Sequence, residues 1–220
     1  MNLHATIVAK TPIAGRVKTR LCPPGTPDEA AAIATAGILD TVDAIDGIAG
    51  IGGTARALLL DGPPRPWMPA HYALVRQRGD GLGERLRNGF ADLGAGVVIG
   101  METPHAAHHV ASALTAIRSG RDVLGLAEDG GYWLIGLCES TMRRLDEVFR
   151  GVPMSTSRTG ALQLRRMTAA GARPPVMLPT VRDLDTFDDL VAVAGSSERG
   201  RLATLARRTV AAGRAEVADR

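Results

Sequence analysis

Short apolar blocks alternate along the chain with stretches of helical spacing. Leu3–Lys10 (LHATIVAK) predicts a buried first strand, followed by a Pro- and Gly-broken loop over 11–26. Thr26-Pro27-Asp28-Glu29 opens a helix that runs to about Ile45: a Thr cap, Pro in the first turn, acids at the positive end. Ala57–Leu60 predicts a second strand, stopped by Asp61-Gly62-Pro63-Pro64, and Tyr72–Val75 a weaker third. Leu82, Leu86, Phe90 and Leu93 form a helical stripe after Gly81. Val97–Met101 is a short apolar strand, backed by a helix marked by Val110, Leu114 and Ile117. Val123–Leu126 and Tyr132–Leu137 predict two strands joined by Ala127–Gly131. Helices follow at about 140–149 and 157–170, then a strand at Val176–Leu178 and a helix at Asp185–Ala194. A last helix over 197–212 has Leu202, Leu205, Ala206 and Val210 on one face.

Strands alternate with helices, and most are continuous apolar runs. That pattern predicts an α/β fold with a mostly parallel sheet covered on both faces. Ligands of such sheets bind beyond the carboxyl ends of the strands, so the polar residues after strands one, four and five are the first places to look for chemistry.

At 220 residues the chain has room for one domain and an appendage. With 45% hydrophobic and 22% charged residues its composition is that of a globular protein. Aromatics are only 3%, too few for a platform that stacks single-stranded nucleic acid, and a net charge of +3 argues for no nucleic-acid coat. All basic residues except Lys10 and Lys18 are arginine. Cys22 and Cys138 are the only cysteines, so neither a disulfide framework nor a multi-cysteine zinc site is expected. No apolar stretch is long enough for a signal peptide or a membrane span, and a reduced, cytoplasmic setting is expected.

Chemistry concentrates in three places. The loop after the first strand carries Lys10, Arg16, Lys18 and Arg20 around Gly15. Backbone N–H groups with Arg forks and Lys point charges are what a phosphate chain needs, although the loop lacks a Walker A arrangement. Glu128-Asp129-Gly130-Gly131-Tyr132 offers two carboxylates able to accept an acceptor's proton or hold a sugar. The Asp-Gly pair between two strands is equally a hairpin-turn signal. Asp183, Asp185, Asp188 and Asp189 form an acidic cluster, of which the last two suit a helix's first turn. His105, His108 and His109 read as exposed residues at a helix start.

VAKTPIAGRVKTRL at Val8–Leu21, GDGLGERL at Gly79–Leu86, GMETP at Gly100–Pro104, AEDGGYWLIGL at Ala127–Leu137 and DLDTFDDL at Asp183–Leu190 together resemble the DUF2064 family. The resemblance spans 3–190. It implies a GT-A-like three-layer α/β/α sandwich of the nucleotide-diphospho-sugar transferase superfamily; the chain divides into that domain at 1–194 and a helical extension at 195–220, which lies beyond the resemblance. That extension packs on the domain or forms a partner surface. The resemblance also implies a transferase using Mg²⁺ or Mn²⁺, with Glu102 and one of Asp183 and Asp185, Asp185 being preferred, as metal carboxylates and Gly130, Gly131 and Tyr132 against substrate. Glu128 or Asp129 is the implied catalytic carboxylate.

The family usually has Gly-Ser/Thr-Asp-x-Pro where this chain has Gly100-Met101-Glu102-Thr103-Pro104, and Trp where it has Met154. A metal-assisted glycosyltransferase with a nucleotide-sugar donor and a small-molecule acceptor is the leading expectation. A nucleotidyltransferase releasing pyrophosphate and a non-catalytic nucleotide-binding protein are the alternatives, and a homo-oligomer stays open.

Overall fold

The computed structural model describes residues 2–49, 51–196 and 199–218. Among these, strands β1 (His4–Lys10), β2 (Ala55–Asp61), β3 (Ala73–Arg76), β4 (Gly96–Gly100), β5 (Val123–Ala127), β6 (Tyr132–Leu137) and β7 (Val176–Val181) build one seven-stranded sheet in the order β3-β2-β1-β4-β6-β5-β7. β6 runs antiparallel to β4 and β5, and the other neighbouring pairs are parallel. The helices are α1 (Pro27–Asp46), α2 (Leu82–Leu93), α3 (Val110–Arg118), α4 (Glu139–Met142), α5 (Leu145–Phe149), α6 (Thr159–Ala170), α7 (Phe187–Gly195) and α8 (Arg201–Ala218).

Strand periodicity divides the core. Leu58 and Leu60, Val97 and Ile99, and Leu134 face a layer containing Ile38 and Val42 of α1 and Leu114 and Ile117 of α3. Leu59, Val98 and Ile135 face the opposite layer, with Leu86 and Phe90 of α2, Val148 and Phe149 of α5 and Met167 of α6. Both faces are therefore covered, as the continuous apolar strands require, giving the expected three-layer sandwich.

A third apolar cluster joins Leu21, Ile33, Leu184 and Leu190 to Leu202, Ala206 and Val210 of α8, which packs beside α1 and α7. This cluster ties the end of the basic loop to the segment carrying the Asp183–Asp185 acids.

Several boundaries differ from the sequence reading. Thr26 caps α1 as expected, accepting from the Glu29 amide at 3.2 Å while Glu29 accepts from the Thr26 amide at 2.8 Å. The helix predicted at 140–149 is two short helices. Its first turn is tied to the buried Asp122, which accepts from the Cys138 amide and the Thr141 hydroxyl, each at 2.8 Å. Beyond the break, Arg144 donates to the carbonyls of Ala169 and Ala170 at the end of α6.

β7 continues past Pro179 because it is an edge strand, where a missing N–H is tolerated. α7, expected from Asp185, begins at Phe187 with Thr186 as its cap, so Asp185 stays outside the helix. The last helix begins at Arg201; residues 197 and 198 of the predicted helix lie outside the described residues.

Candidate active site

The carboxyl ends of β1 and β4 open into a cleft of about 400 Å³. Its walls come from Val8–Lys10, Arg16–Arg20, Gln77, Leu82 and Arg85, Gly100–Glu102, Tyr132, Trp133 and Asp185. The sheet order explains this meeting. β1 is central, with β2 on one side and β4 on the other, so the loops after all three converge.

The basic loop leaves β1 and turns at Gly15, whose φ of +75° favours glycine. The Val17 side chain is buried and anchors the loop. Lys18 follows in a left-handed conformation, φ 49° and ψ 36°. Its ammonium group donates to a carboxylate oxygen of Glu102 and to the carbonyl of Leu184. Only 4% of the Lys18 side chain is exposed, against 33% for Glu102. Arg20 pairs with Asp185 at the cleft mouth, where the two side chains are 73% and 37% exposed. Lys10 and Arg16 line the same cleft and make no ion pair with a described residue. All four predicted phosphate-loop cations and both predicted metal carboxylates thus line one cavity.

The hairpin after β5 sits beside this cleft rather than lining its floor. Ala127 and Gly131 close the turn with an N–H···O bond of 3.1 Å, and the Asp129 carboxylate accepts from the Gly131 amide at 2.7 Å. Glu128 and Asp129 are both exposed. Gly130, φ +89°, lies so close to the Ser157 backbone that a Cβ there would overlap it, and its carbonyl accepts from the Gly160 amide at 2.8 Å. The turn signal is therefore real, and Gly130 docks the hairpin on the start of α6. Tyr132 faces the cleft; burial pushes its phenol well above the usual range.

Asp183 connects the two regions. Burial, then the nearby carboxylates of Asp129 and Glu102, push its carboxyl up to about 6. Glu102, Asp129 and Lys18 all act on Asp183 electrostatically, Lys18 in the opposite sense to the two carboxylates. Glu102, Asp185 and the Leu184 carbonyl are hard oxygen donors of the kind Mg²⁺ and Mn²⁺ take. The buried Thr103 hydroxyl beside Glu102 has no hydrogen-bond partner among the described residues. These donors fit a divalent ion as part of a shell. Among the described residues no three His, Cys, Asp or Glu side chains converge as a complete one, so phosphate oxygens would have to finish it. His105 and His108 are exposed as expected, whereas His109 is half-buried, its ring 6.0 Å from that of Trp133.

Two cleft residues escaped the sequence reading. Gln77 follows β3 and donates its amide to the carbonyls of Ala9 and Leu59, both at 2.9 Å, bracing the ends of β1 and β2. Arg85 pairs with Asp61 at 2.6 Å and adds a fifth cation to the cleft. Arg85 belongs to the Gly79–Leu86 motif, so a signal for it was present; Gln77 had none. Both also border a second cleft of about 920 Å³ beyond the ends of β2 and β3.

The family described as "Uncharacterized protein conserved in bacteria (DUF2064)" has a model that matches residues 45–156. The match includes Glu102 and the hairpin but stops short of the basic loop and of Asp183–Asp185. A crystal structure from Desulfovibrio desulfuricans G20, named as a candidate nucleotide-diphospho-sugar transferase, superimposes with a TM-score of 0.84 at 24% identity, covering 98% of each chain. Rv0371c from Mycobacterium tuberculosis H37Rv gives a TM-score of 0.53 at 16% identity, over 89% of this chain and 100% of that one. CMP:2-keto-3-deoxy-manno-octonic acid synthetase complexed with CTP gives 0.51 at 14% identity, over 88% and 97%. At these identities the likeness is one of fold. No curated protein sequence matches the chain.

Proposed function

The chain belongs to the DUF2064 family, and from that premise we propose that it is a transferase binding a nucleotide-diphospho-sugar, which passes its sugar to a small-molecule acceptor. One observation carries the reading: four cations of one loop and the carboxylates of Glu102 and Asp185 line a single cleft at the carboxyl ends of β1 and β4. The names of the structures sharing this fold, a nucleotide-diphospho-sugar transferase assignment and a CTP-bound synthetase, support a nucleotide in that cleft.

In this reading Lys10, Arg16, Lys18 and Arg20 bind the diphosphate through charge-assisted hydrogen bonds. Glu102, Asp185 and the Leu184 carbonyl would hold Mg²⁺ or Mn²⁺, which when bound neutralises charge on the departing phosphate. The Arg and Lys side chains would add further positive charge against the departing nucleotide diphosphate. Asp129, electrostatically linked to Asp183, orients the acceptor hydroxyl or takes its proton, with Glu128 as its neighbour on the same turn. Tyr132 and the glycines before it shape the acceptor side. Among the described residues no helix is long and apolar enough to cross a membrane.

A nucleotidyltransferase is the second reading. Arg85 as a fifth cation, and the larger cleft beside it, favour a triphosphate whose α-phosphate is attacked. Calorimetry with nucleoside triphosphates and NDP-sugars, with and without Mn²⁺, followed by product analysis, tests both. NDP released with an acceptor supports sugar transfer, and pyrophosphate assigns nucleotidyl transfer. Binding without turnover assigns a nucleotide-binding protein, and no binding retires the site.

A further inference from the structure

Lys18 is enclosed where lysine is seldom found, with 4% of its side chain exposed. Its backbone is left-handed, a conformation that costs a non-glycine residue, so the surroundings must hold it there. What they supply is a carboxylate oxygen of Glu102 and the carbonyl of Leu184. These two segments are themselves joined, the Leu184 amide donating to the Glu102 carbonyl at 3.4 Å. Carboxylate and backbone carbonyl oxygens are what a hard divalent ion uses. An ammonium and a divalent ion cannot share them, because like charges at contact distance in a partly buried site repel strongly. Arg20 repeats the arrangement two residues on, occupying Asp185. Each candidate metal carboxylate therefore already has a cation from the phosphate loop.

We propose that Lys18 is a resident counter-cation that takes the divalent-metal position in the nucleotide-free protein and leaves it for the phosphates when nucleotide binds. Departure of the ammonium leaves the Glu102 carboxylate and the Leu184 carbonyl without a cation, the vacancy the metal fills. Nucleotide then precedes metal, and metal affinity depends on nucleotide through competition at named atoms. The departure step rests on the proposed function; the counter-cation assignment does not.

The test is Mn²⁺ titration of the full chain, followed by electron paramagnetic resonance of the free aquo ion, with circular dichroism melts to establish folding. Without nucleotide, wild type and Lys18→Arg should leave Mn²⁺ free. Lys18→Ala and Lys18→Gln should bind it at least about tenfold more tightly, since an opposing charge has gone. Adding Glu102→Gln to either should abolish the gain. Wild type binding Mn²⁺ as tightly as Lys18→Ala overturns the assignment, as does a folded neutral variant with no gain. In a second arm, wild type should bind Mn²⁺ once UDP, GDP, CDP or ADP is present. If a diphosphate binds and Mn²⁺ does not follow, the displacement step is wrong. If no diphosphate binds, the functional reading and the displacement step fall together, while the nucleotide-free arm still decides what Lys18 does.

Discussion

The guanidinium of Arg20 pairs with the carboxylate of Asp185 across the mouth of the cleft, joining positions 165 apart in sequence. Both side chains are substantially exposed, so the pair contributes little to folding. Its importance lies in what Arg20 does when a phosphate arrives. Arg20→Ala should weaken nucleotide binding by roughly 1.5–3 kcal/mol, the value of a charge-assisted contact, with the melting midpoint almost unchanged. Calorimetry with nucleotide and a thermal melt check the two halves. Unaltered affinity would remove Arg20 from the phosphate site.

A second prediction concerns pH. His4 is 1% exposed; its ring nitrogens lie 2.8 Å from the Thr6 hydroxyl and 3.1 Å from the Gly94 carbonyl. Burial lowers its pKa from 6.5 to about 4, with the Gly94 hydrogen bond opposing. The unfolded chain therefore takes up this proton at a higher pH than the folded one. Stability from this group is intact above about pH 6.5 and declines as pH falls toward 4, by roughly 3 kcal/mol in all. The raised Asp183 carboxyl acts in the opposite sense over the same range, so the readout is the difference: in urea melts between pH 7 and 4, wild type should lose more stability toward low pH than His4→Gln. Identical slopes would mean His4 is not the group responsible.

Most strands were legible because they are unbroken apolar runs, such as Val97–Ile99, and the layers followed from their alternation with helical stripes. What was hidden depends on contacts far away in sequence. β2 begins earlier than its apolar residues because Arg56, paired with Asp46 at 2.9 Å, continues the ladder beside β1. In the site, the residue types of the basic loop and of Glu102 and Asp185 could be read, but not their pairing, since the relevant separations are 84 and 165 residues. Gln77 was invisible because its bracing role exists only once β1, β2 and β3 lie side by side. Asp183 and Asp185 could not be told apart by residue type, because the burial of Asp183 and its nearness to two other carboxylates arise only in the fold.

Neighbouring glycines of the hairpin should respond differently to alanine. At Gly130 a Cβ meets the Ser157 backbone and φ is +89°, so Gly130→Ala is both crowded and strained. We expect a loss of roughly 2–4 kcal/mol in unfolding free energy, measured by denaturant melts. At Gly131 the nearest atom is the Asp129 carboxylate oxygen at 3.0 Å, a side chain that can move, so the cost should be small. Equal, small effects at both sites would mean that Gly130 does not hold the hairpin on α6.

Glu102 offers the sharpest separation between structural and functional roles. Read from sequence, it is a glutamate at a strand end whose neutralisation leaves stability nearly untouched. The structure says otherwise, because its partner Lys18 is enclosed. Glu102→Gln keeps the shape but leaves that ammonium with the Leu184 carbonyl and no paired carboxylate. Removing one member of a partly buried charge pair should cost about 1–3 kcal/mol, less than for a fully buried pair because Glu102 itself is 33% exposed. Nucleotide should restore part of that loss by giving the ammonium a phosphate, so the variant's melting midpoint should rise more on adding nucleotide than that of wild type. The metal-dependent part of nucleotide affinity should disappear in Glu102→Gln and survive in Glu102→Asp, which keeps a carboxylate there. Melts with and without nucleotide, combined with calorimetry at several Mn²⁺ concentrations, read all of these changes. If Glu102→Gln matches wild type in both stability and metal response, the ion pair does not hold the loop and Glu102 is not a metal carboxylate.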